Sequence, residues 1–275
     1  MPTNVPQFTL NDGTRIPAIG LGCWMGTPGG GERVYDMVTK AIKIGYRHFD
    51  TAAGYANEEQ VGKAIRDSGI PRSEFYITTK LANTDHHRVA EAFAESLHKL
   101  NNGYLDLYLM HWPQATVEGR VLAPEESPTI VETWKEMEKL LASGKYQLMS
   151  IKTDTHFACS GRPSGDNIGV INDPTVVKIA ERLGVDPAQI LLSWAVHKDI
   201  IVVPKTENEA RLRTNVTLVS LGSDDLETID AIHTEPGKHR SLLGYHNTLP
   251  GTVFGWTYEQ MGWDMTKGGI VASRT

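Results

Sequence analysis

The chain has 275 residues, of which 40% are hydrophobic and 22% charged, so it can form a sizeable buried core and is not intrinsically disordered. Its net charge of −6 lacks the basic excess of proteins that bind phosphate backbones, which argues against a nucleic-acid partner. The N-terminal residues show no signal-peptide pattern, no apolar run reaches the roughly 20 residues that cross a bilayer, and two cysteines are too few for a disulfide framework. We therefore expect a cytoplasmic protein without a membrane partner.

Short apolar runs alternate with amphipathic segments up to residue 151, a pattern typical of βα units that build a parallel sheet. Strands are predicted at residues 18–21, 46–49, 75–79, 104–110 and 146–151. Helices are predicted at residues 34–42, 61–65, 89–100 and 130–141. Gly45 is placed to end the first helix, and Asn57 is placed to cap the second.

The regular pattern breaks at residues 152–172, which are rich in Thr, Ser, Gly, Asp and Asn and predict at most a short strand near residues 169–171. Helices are then predicted at residues 174–183, 187–195, 207–214 and 224–232, with an apolar strand at residues 200–203. Residues 236–275 lack a clear period and are predicted to be a loop-rich tail. We expect the whole chain, residues 1–275, to be one domain.

Four reactive side chains stand at or near successive strand ends. Asp50 directly follows the second predicted strand, Lys80 follows the third and His111 the fourth, while Tyr55 lies five residues beyond Asp50. Each of them alone would be an ordinary turn, surface or packing residue. Because the carboxyl ends of parallel strands in a barrel meet on one face, their joint placement predicts an active site.

These residue types suit the protonation of an oxygen. A phenol has an ordinary pKa near 10, so Tyr55 is a poor acid at neutral pH unless a cation such as Lys80 favours its phenolate. Asp50 would hold Lys80, and His111 would orient a substrate carbonyl. Such a set protonates an alkoxide as it forms, which is what carbonyl reduction by hydride from a cofactor requires.

The motifs around these residues resemble those of the aldo-keto reductase family. They are Gly-Tyr-Arg-His-Phe-Asp-Thr-Ala at residues 45–52 with Tyr55 and Asn-Glu-Glu-Gln-Val-Gly at 57–62, Thr-Lys-Leu at 79–81, Leu-Asp-Leu-Tyr-Leu-Met-His-Trp-Pro at 105–113, and Val-Pro-Lys-Thr at 203–206 with Arg211 and Asn215. The resemblance implies an α/β fold of the (β/α)8 TIM-barrel type, NADP(H) as cofactor, and reduction of an aldehyde or ketone. It also implies that Asp50, Tyr55, Lys80 and His111 form the catalytic tetrad.

The resemblance further implies binding residues for substrate and cofactor. Trp24 and Trp112, with His111, match positions that line the substrate pocket, although ordinary packing is an equal alternative for the two indoles. The cofactor residues it implies are Lys205, Thr206, Arg211, Asn215 and Asp50.

Charge supports part of this assignment. Lys205 and Arg211 match positions that hold the adenosine 2′-phosphate, and an ammonium with a guanidinium suits that dianion. Glu207 lies between them in sequence and would repel the phosphate if it pointed inward, so the preference for NADPH over NADH stays open. No metal site is expected, because the pairs His86-His87 and His156-x-x-Cys159 lack a second ligand pair at a recognised spacing.

The chain departs from the family pattern after its fifth predicted strand. Lys152 and Thr153 stand where the family has a Ser and an Asn that hold the nicotinamide carboxamide. Only residues 152–172 separate that strand from the next helix, although a βα unit needs about 30 residues. We therefore expect a barrel that is incomplete or irregular between residues 152 and 172, with an open edge that a homo-oligomer could cover.

Three functional hypotheses follow from these patterns. The first is an NADP-dependent carbonyl reductase that uses Tyr55 as its general acid. The alternative is a catalytically impaired relative that serves as a binding or interaction module, motivated by the missing segment and the replaced cofactor ligands. The third is a chain shortened by altered splicing or gene assembly.

Overall fold

The computed structural model describes residues 5–141, 144, 146–151, 169–241 and 251–271. The strands are β1 (Gln7–Thr9), β2 (Arg15–Pro17), β3 (Leu21–Gly22), β4 (His48–Asp50), β5 (Tyr76–Leu81), β6 (Leu105–Met110), β7 (Thr116–Val117), β8 (Arg120–Val121), β9 (Tyr146–Ile151), β10 (Thr252–Val253), β11 (Trp256–Thr257), β12 (Met265–Thr266) and β13 (Ile270–Val271). The helices are α1 (Glu32–Ile44), α2 (Glu58–Asp67), α3 (Val89–Leu100), α4 (Ile130–Leu141), α5 (Pro174–Leu183), α6 (Pro187–His197), α7 (Glu209–Asn215) and α8 (Ser223–Ala231). Short 3₁₀ turns include Ala53–Tyr55 and Val170–Asn172.

The chain divides into two compact units. The first is formed by residues 1–157 and 199–217, and the second by residues 158–198 and 218–275. The first unit contains a five-stranded parallel sheet in the order β3-β4-β5-β6-β9. A parallel bridge between Ile19 and Val202 continues this sheet beyond β3. The sheet therefore includes segments from both parts of the first unit.

Burial explains why the central strands are apolar. Every residue of β5 and β6 is buried, as expected for a parallel sheet whose two faces are covered. At the start of these strands Asp106 accepts a hydrogen bond from the Ile77 backbone N–H at 2.8 Å and pairs with Arg72 at 2.6 Å. This pair, in which Asp106 is buried and Arg72 is half-buried, fixes β5 against β6 at the edge opposite to the strand carboxyl ends.

Helices α1, α2 and α3 follow the periodicity of the sequence. The buried face of α1 contains Val34, Val38 and Ala41, and the helix ends at Gly45, whose left-handed φ of 118° lets its N–H cap the carbonyls of Ala41 and Ile42. Helix α2 lies so close to the end of α3 that a Cβ on Gly62 would stand 2.0 Å from the carbonyl oxygen of Leu100. Glycine at residue 62 is therefore a condition for this contact.

The second unit contains α5, α6 and α8 together with two short hairpins. Asp173 caps α5 by accepting a hydrogen bond from the Thr175 N–H at 2.9 Å, and it also pairs with Lys238 at 2.6 Å. The hairpins β10–β11 and β12–β13 lie in the region that the sequence predicted to be a loop-rich tail. Period-two patterns are too short to recognise in strands of two residues each.

Two further predictions of local structure need correction. Residues 170–172 form a 3₁₀ turn and not a strand, because Asn172 and Asp173 donate backbone hydrogen bonds to Gly169 and Val170. The predicted strand at residues 200–203 is reduced to the bridge at Val202, although its direction is parallel as expected.

The prediction that the chain forms a single domain stays a prediction. Every helix in the described ranges falls short of the length and apolar character that a membrane-spanning segment needs.

We predict that Gly62→Ala lowers the free energy of unfolding by about 1–3 kcal/mol, because the added methyl group must push α2 away from the Leu100 carbonyl. Urea denaturation followed by circular dichroism measures the change. Gly54→Ala is the control, since among the described residues no atom lies within 4 Å of its added Cβ. Equal destabilisation by both variants would contradict the close-approach explanation.

Candidate active site

Asp50, Lys80 and His111 lie together at the carboxyl ends of neighbouring strands. Asp50 is the last residue of β4, Lys80 is the penultimate residue of β5, and His111 directly follows β6. Asp50 pairs in register with Thr78, and Lys80 lies two residues further along β5, on the same face as Thr78. The register therefore directs Lys80 towards Asp50.

A buried ion pair forms the centre of the site. Lys80 Nζ donates to Asp50 Oδ1 at 2.6 Å and to the carbonyl oxygen of Thr51 at 2.7 Å, and both charged side chains are buried. Burial, the largest single effect, lowers the pKa of Lys80, but Asp50 and Tyr55 together outweigh it and raise that pKa above its ordinary value. Lys80 is therefore a permanent cation in the working pH range.

Tyr55 lies beside this cation. Its hydroxyl oxygen is 3.5 Å from Lys80 Nζ, and Nζ is 4.9 Å from the centre of the phenol ring. Because the ammonium donates to the hydroxyl oxygen, the hydroxyl proton is free to point elsewhere. Burial raises the pKa of Tyr55, and Lys80 lowers it, with burial the larger effect. The lysine therefore offsets part of a burial effect that the sequence did not reveal.

Two aromatic rings pack against the ring of Tyr55. The rings of Trp24 and His111 have their centres 5.1 and 5.4 Å from that of Tyr55, and His111 meets it edge-on at 70°. Trp112 lies beyond His111, with ring centres 6.5 Å apart and nearly parallel planes. The residues predicted for catalysis and for substrate contact thus form one group.

Asn57 supports this group and does not cap α2 as predicted. Its side chain makes no cap hydrogen bond. It accepts from the Thr51 hydroxyl at 2.7 Å and donates to the carbonyl of Cys23 at 2.8 Å, while the Cys23 N–H donates to the Asp50 carbonyl at 2.9 Å. Asn57 therefore fixes the segment whose carbonyl, at Thr51, receives Lys80. Its place in the 57–62 motif was the sequence signal for this role.

A second polar group lies where the segment after Val202 leaves the sheet. The Gly22 N–H donates to the Pro204 carbonyl at 3.2 Å, which brings Lys205 to the same sheet edge as Asp50. Arg211 Nε donates to the Thr206 hydroxyl at 3.1 Å, and Asn215 is buried at the end of α7. All of these residues follow one strand-like segment, and their role in cofactor binding stays a prediction.

Glu207 and Arg33 complete this second group. Lys205 Nζ lies 2.7 Å from Glu207 Oε1, and Arg33 makes a two-pronged contact with both carboxylate oxygens at 2.8 and 3.0 Å. Hydrogen bonds from Arg33 and Lys205 lower the pKa of Glu207 to about 2. Arg33 had no sequence signal, since it lies 174 residues from Glu207.

The replaced cofactor positions Lys152 and Thr153 lie outside the described residues, as does the His156-x-x-Cys159 pair. Within the described ranges no cluster of three or more His, Cys, Asp or Glu side chains is arranged to hold a metal ion. His86 is buried, contacts the Thr133 hydroxyl at 3.2 Å, and has its pKa lowered to about 4 by burial.

A sequence model described as the aldo/keto reductase family matches residues 18–153 and 172–234. The match covers more than half of the chain and is interrupted at residues 154–171. That interruption coincides with the break in the sequence pattern after β9.

Two individual relatives agree with the family match. A glycerol 2-dehydrogenase (NADP(+)) of Saccharomyces cerevisiae is 31% identical over 306 residues, with 90% of this chain and 96% of that protein covered. An aldehyde reductase of the same yeast is 31% identical, with 84% and 92% covered. Because the first alignment is longer than the 275 residues of this chain, that relative contains segments without a counterpart here.

Solved structures show the corresponding fold. An aldo-keto reductase of Bombyx mori, crystallised with NADP, superposes with a TM-score of 0.75 at 27% identity, with 88% of this chain and 96% of that chain covered. The family resemblance and the (β/α)8 TIM-barrel fold class predicted from the sequence are confirmed. The described residues provide five parallel strands and the bridged segment at Val202.

We predict that Asp50→Asn lowers the free energy of unfolding by about 3–5 kcal/mol, because it leaves the Lys80 charge buried without its carboxylate. In the variant, burial lowers the pKa of Lys80, so the folded state binds fewer protons than the unfolded state. Its stability should therefore rise with pH up to about 10.

In the wild type, the contribution of Lys80 to stability should stay constant up to the ordinary lysine pKa of about 10 and be lost only as the pH rises through the raised pKa. Urea unfolding from about pH 7 to above pH 10 measures both dependences. Asp67→Asn, which removes an exposed partner of Lys63, is the control and should change stability little. Equal slopes in wild type and Asp50→Asn would contradict the assignment.

Proposed function

Because the chain belongs to the aldo/keto reductase family, we propose that it reduces an aldehyde or ketone to the alcohol with NADP(H) as cofactor and Tyr55 as the general acid. One observation carries this proposal: Lys80 Nζ lies 2.6 Å from the Asp50 carboxylate and 3.5 Å from the Tyr55 hydroxyl. A cation held against a phenol in this way is the arrangement that makes the phenol an acid.

The geometry of Tyr55 and Lys80 indicates where the proton comes from and how the charge left behind is stabilised. When bound, NADP(H) supplies the hydride that the carbonyl carbon gains. The substrate oxygen gains the proton of the Tyr55 hydroxyl, and Lys80 stabilises the negative charge that this transfer leaves on the phenol oxygen. Asp50 keeps Lys80 protonated, so the cation is present at the moment of transfer.

His111 and the indoles orient the substrate. The ring centre of His111 lies 5.4 Å from that of Tyr55, and we assign to His111 a hydrogen bond to the same carbonyl oxygen that Tyr55 protonates. Trp24 packs against Tyr55 and Trp112 against His111, so both indoles add apolar surface next to the proposed catalytic residues. They favour substrates with an apolar or aromatic group attached to the carbonyl.

The cofactor assignment rests on the second polar group. Lys205 and Arg211 offer an ammonium and a guanidinium, and Thr206 and Asn215 offer a hydroxyl and an amide. This donor set fits the 2′-phosphate and adenosine half of NADP(H). The NADP bound to the Bombyx mori relative and the NADP named for the yeast relative support the same cofactor.

A second candidate function is a catalytically impaired binding module. The observation that favours it is the interruption of the family match at residues 154–171. Tight NADPH binding with turnover would exclude it, whereas binding without turnover would support it. Cytoplasmic location and assembly into a homo-oligomer stay predictions.

We predict that Tyr55→Phe lowers turnover by about 10²- to 10⁴-fold, because it removes the proton donor and leaves the ring contacts in place. NADPH consumption with a reactive aromatic aldehyde measures turnover. Quenching of tryptophan fluorescence by NADPH should be unchanged. Tyr35→Phe, whose hydroxyl contacts Asp67 on the outer surface, is the control. Turnover that survives Tyr55→Phe would rule out Tyr55 as the acid.

We also predict that Arg211→Gln weakens NADPH binding by about tenfold to a hundredfold, which corresponds to the loss of a charge-assisted hydrogen bond to the phosphate. NADH binding, measured by the same fluorescence titration, should change by less than about twofold. Arg213→Gln is the matched control, because this arginine pairs with Glu209 on the exposed face of α7. Parallel losses for NADPH and NADH would contradict the phosphate assignment.

A further inference from the structure

The second polar group contains a carboxylate among its cations. Glu207 Oε1 contacts both Lys205 Nζ at 2.7 Å and an Arg33 amino group at 2.8 Å, and Oε2 contacts Arg33 Nε at 3.0 Å. We call these residues the Arg33–Glu207–Lys205 bridge. It connects the first turn of α1 to the segment that follows Val202.

The bridge changes what Lys205 can offer to a phosphate. Its ammonium already donates to a carboxylate, and the pKa of Glu207 is held at about 2, so that carboxylate stays ionised throughout the working pH range. Arg211 differs, because its Nε donates to the neutral hydroxyl of Thr206. One of the two cations proposed for the 2′-phosphate is therefore partly neutralised before any nucleotide arrives.

A fixed negative charge distinguishes NADPH from NADH. The 2′-phosphate of NADPH carries close to two negative charges, and a neighbouring carboxylate repels it. The 2′-hydroxyl of NADH is neutral and can donate a hydrogen bond to a carboxylate. Specificity in binding sites often comes from such a repulsive group, and not only from attractive contacts.

We propose that Glu207 is a specificity-determining residue that lowers the preference for NADPH over NADH, and that Arg33 moderates this effect by sharing the carboxylate. The proposal rests on the proposed function, since it takes Lys205 and Arg211 as the phosphate ligands. It adds two residues, one of them on α1, to the control of cofactor choice.

The geometry allows a clean test, because the bridge lies at the surface. The side chains of Arg33 and Glu207 are 66% and 35% exposed, and pairs of this kind contribute little to stability. Substitutions at either residue should therefore leave the fold intact. Thermal unfolding of each variant checks this condition.

The experiment measures equilibrium dissociation constants of NADPH and NADH by tryptophan fluorescence for the wild type, Glu207→Gln and Arg33→Gln. Glu207→Gln should tighten NADPH binding by about threefold to tenfold and change NADH binding by less than about twofold. Arg33→Gln should weaken NADPH binding by a similar factor, because Glu207 then acts on Lys205 alone. Both effects should shrink at high salt.

Glu209→Gln is the matched control. It removes the same charge from a residue that lies two positions after Glu207 and that pairs with Arg213 instead of Lys205. An equal gain with Glu209→Gln would overturn the proposal in favour of a general charge effect. Unchanged or weaker NADPH binding in Glu207→Gln would also overturn it. Failure of the wild type to bind either nucleotide would overturn the proposed function, and this inference with it.

Discussion

The buried contact between Lys80 and Asp50 is the constraint on which the rest of the site depends. Removing two charges from water costs several kcal/mol for each ion, and only a short, well-bonded pair recovers it. The 2.6 Å contact and the Thr51 carbonyl meet this condition, and the register of β4 with β5 brings them together. Asn57 then serves the ion pair indirectly, because it fixes the backbone that supplies that carbonyl.

Both polar groups of the first unit use the same physical feature, the carboxyl ends of parallel strands. One group is buried and nearly neutral in total, which suits the movement of a single proton. The other group has its charged side chains at the surface and is positive, with Glu207 as its only described acidic member, which suits the binding of a charged nucleotide. The burial of the charged side chains therefore distinguishes the proposed catalytic group from the proposed binding group, although both depend on the same sheet.

Most of the fold in the first unit was predictable because its signals are local. The helical period located α1 to α4, Gly45 ended α1 as expected, and the apolar runs located β5 and β6. The errors arose where a local pattern has several solutions. A polar residue before a helix often caps it, but the side chain of Asn57 forms hydrogen bonds with Thr51 and Cys23 instead. The strands of the hairpins in the second unit have two residues each, which is too short for a period-two pattern to be recognised in the sequence.

The sequence by itself determined the family, the parallel βα organisation, the identity of the four proposed catalytic residues and the position of the break after β9. These follow from motifs and periods that neighbouring residues define. Only the tertiary structure decided that burial raises the pKa of Tyr55 against the effect of Lys80, and that Arg33 reaches Glu207. Burial and contacts between distant residues depend on how all elements pack together, and no local pattern of residues contains that information.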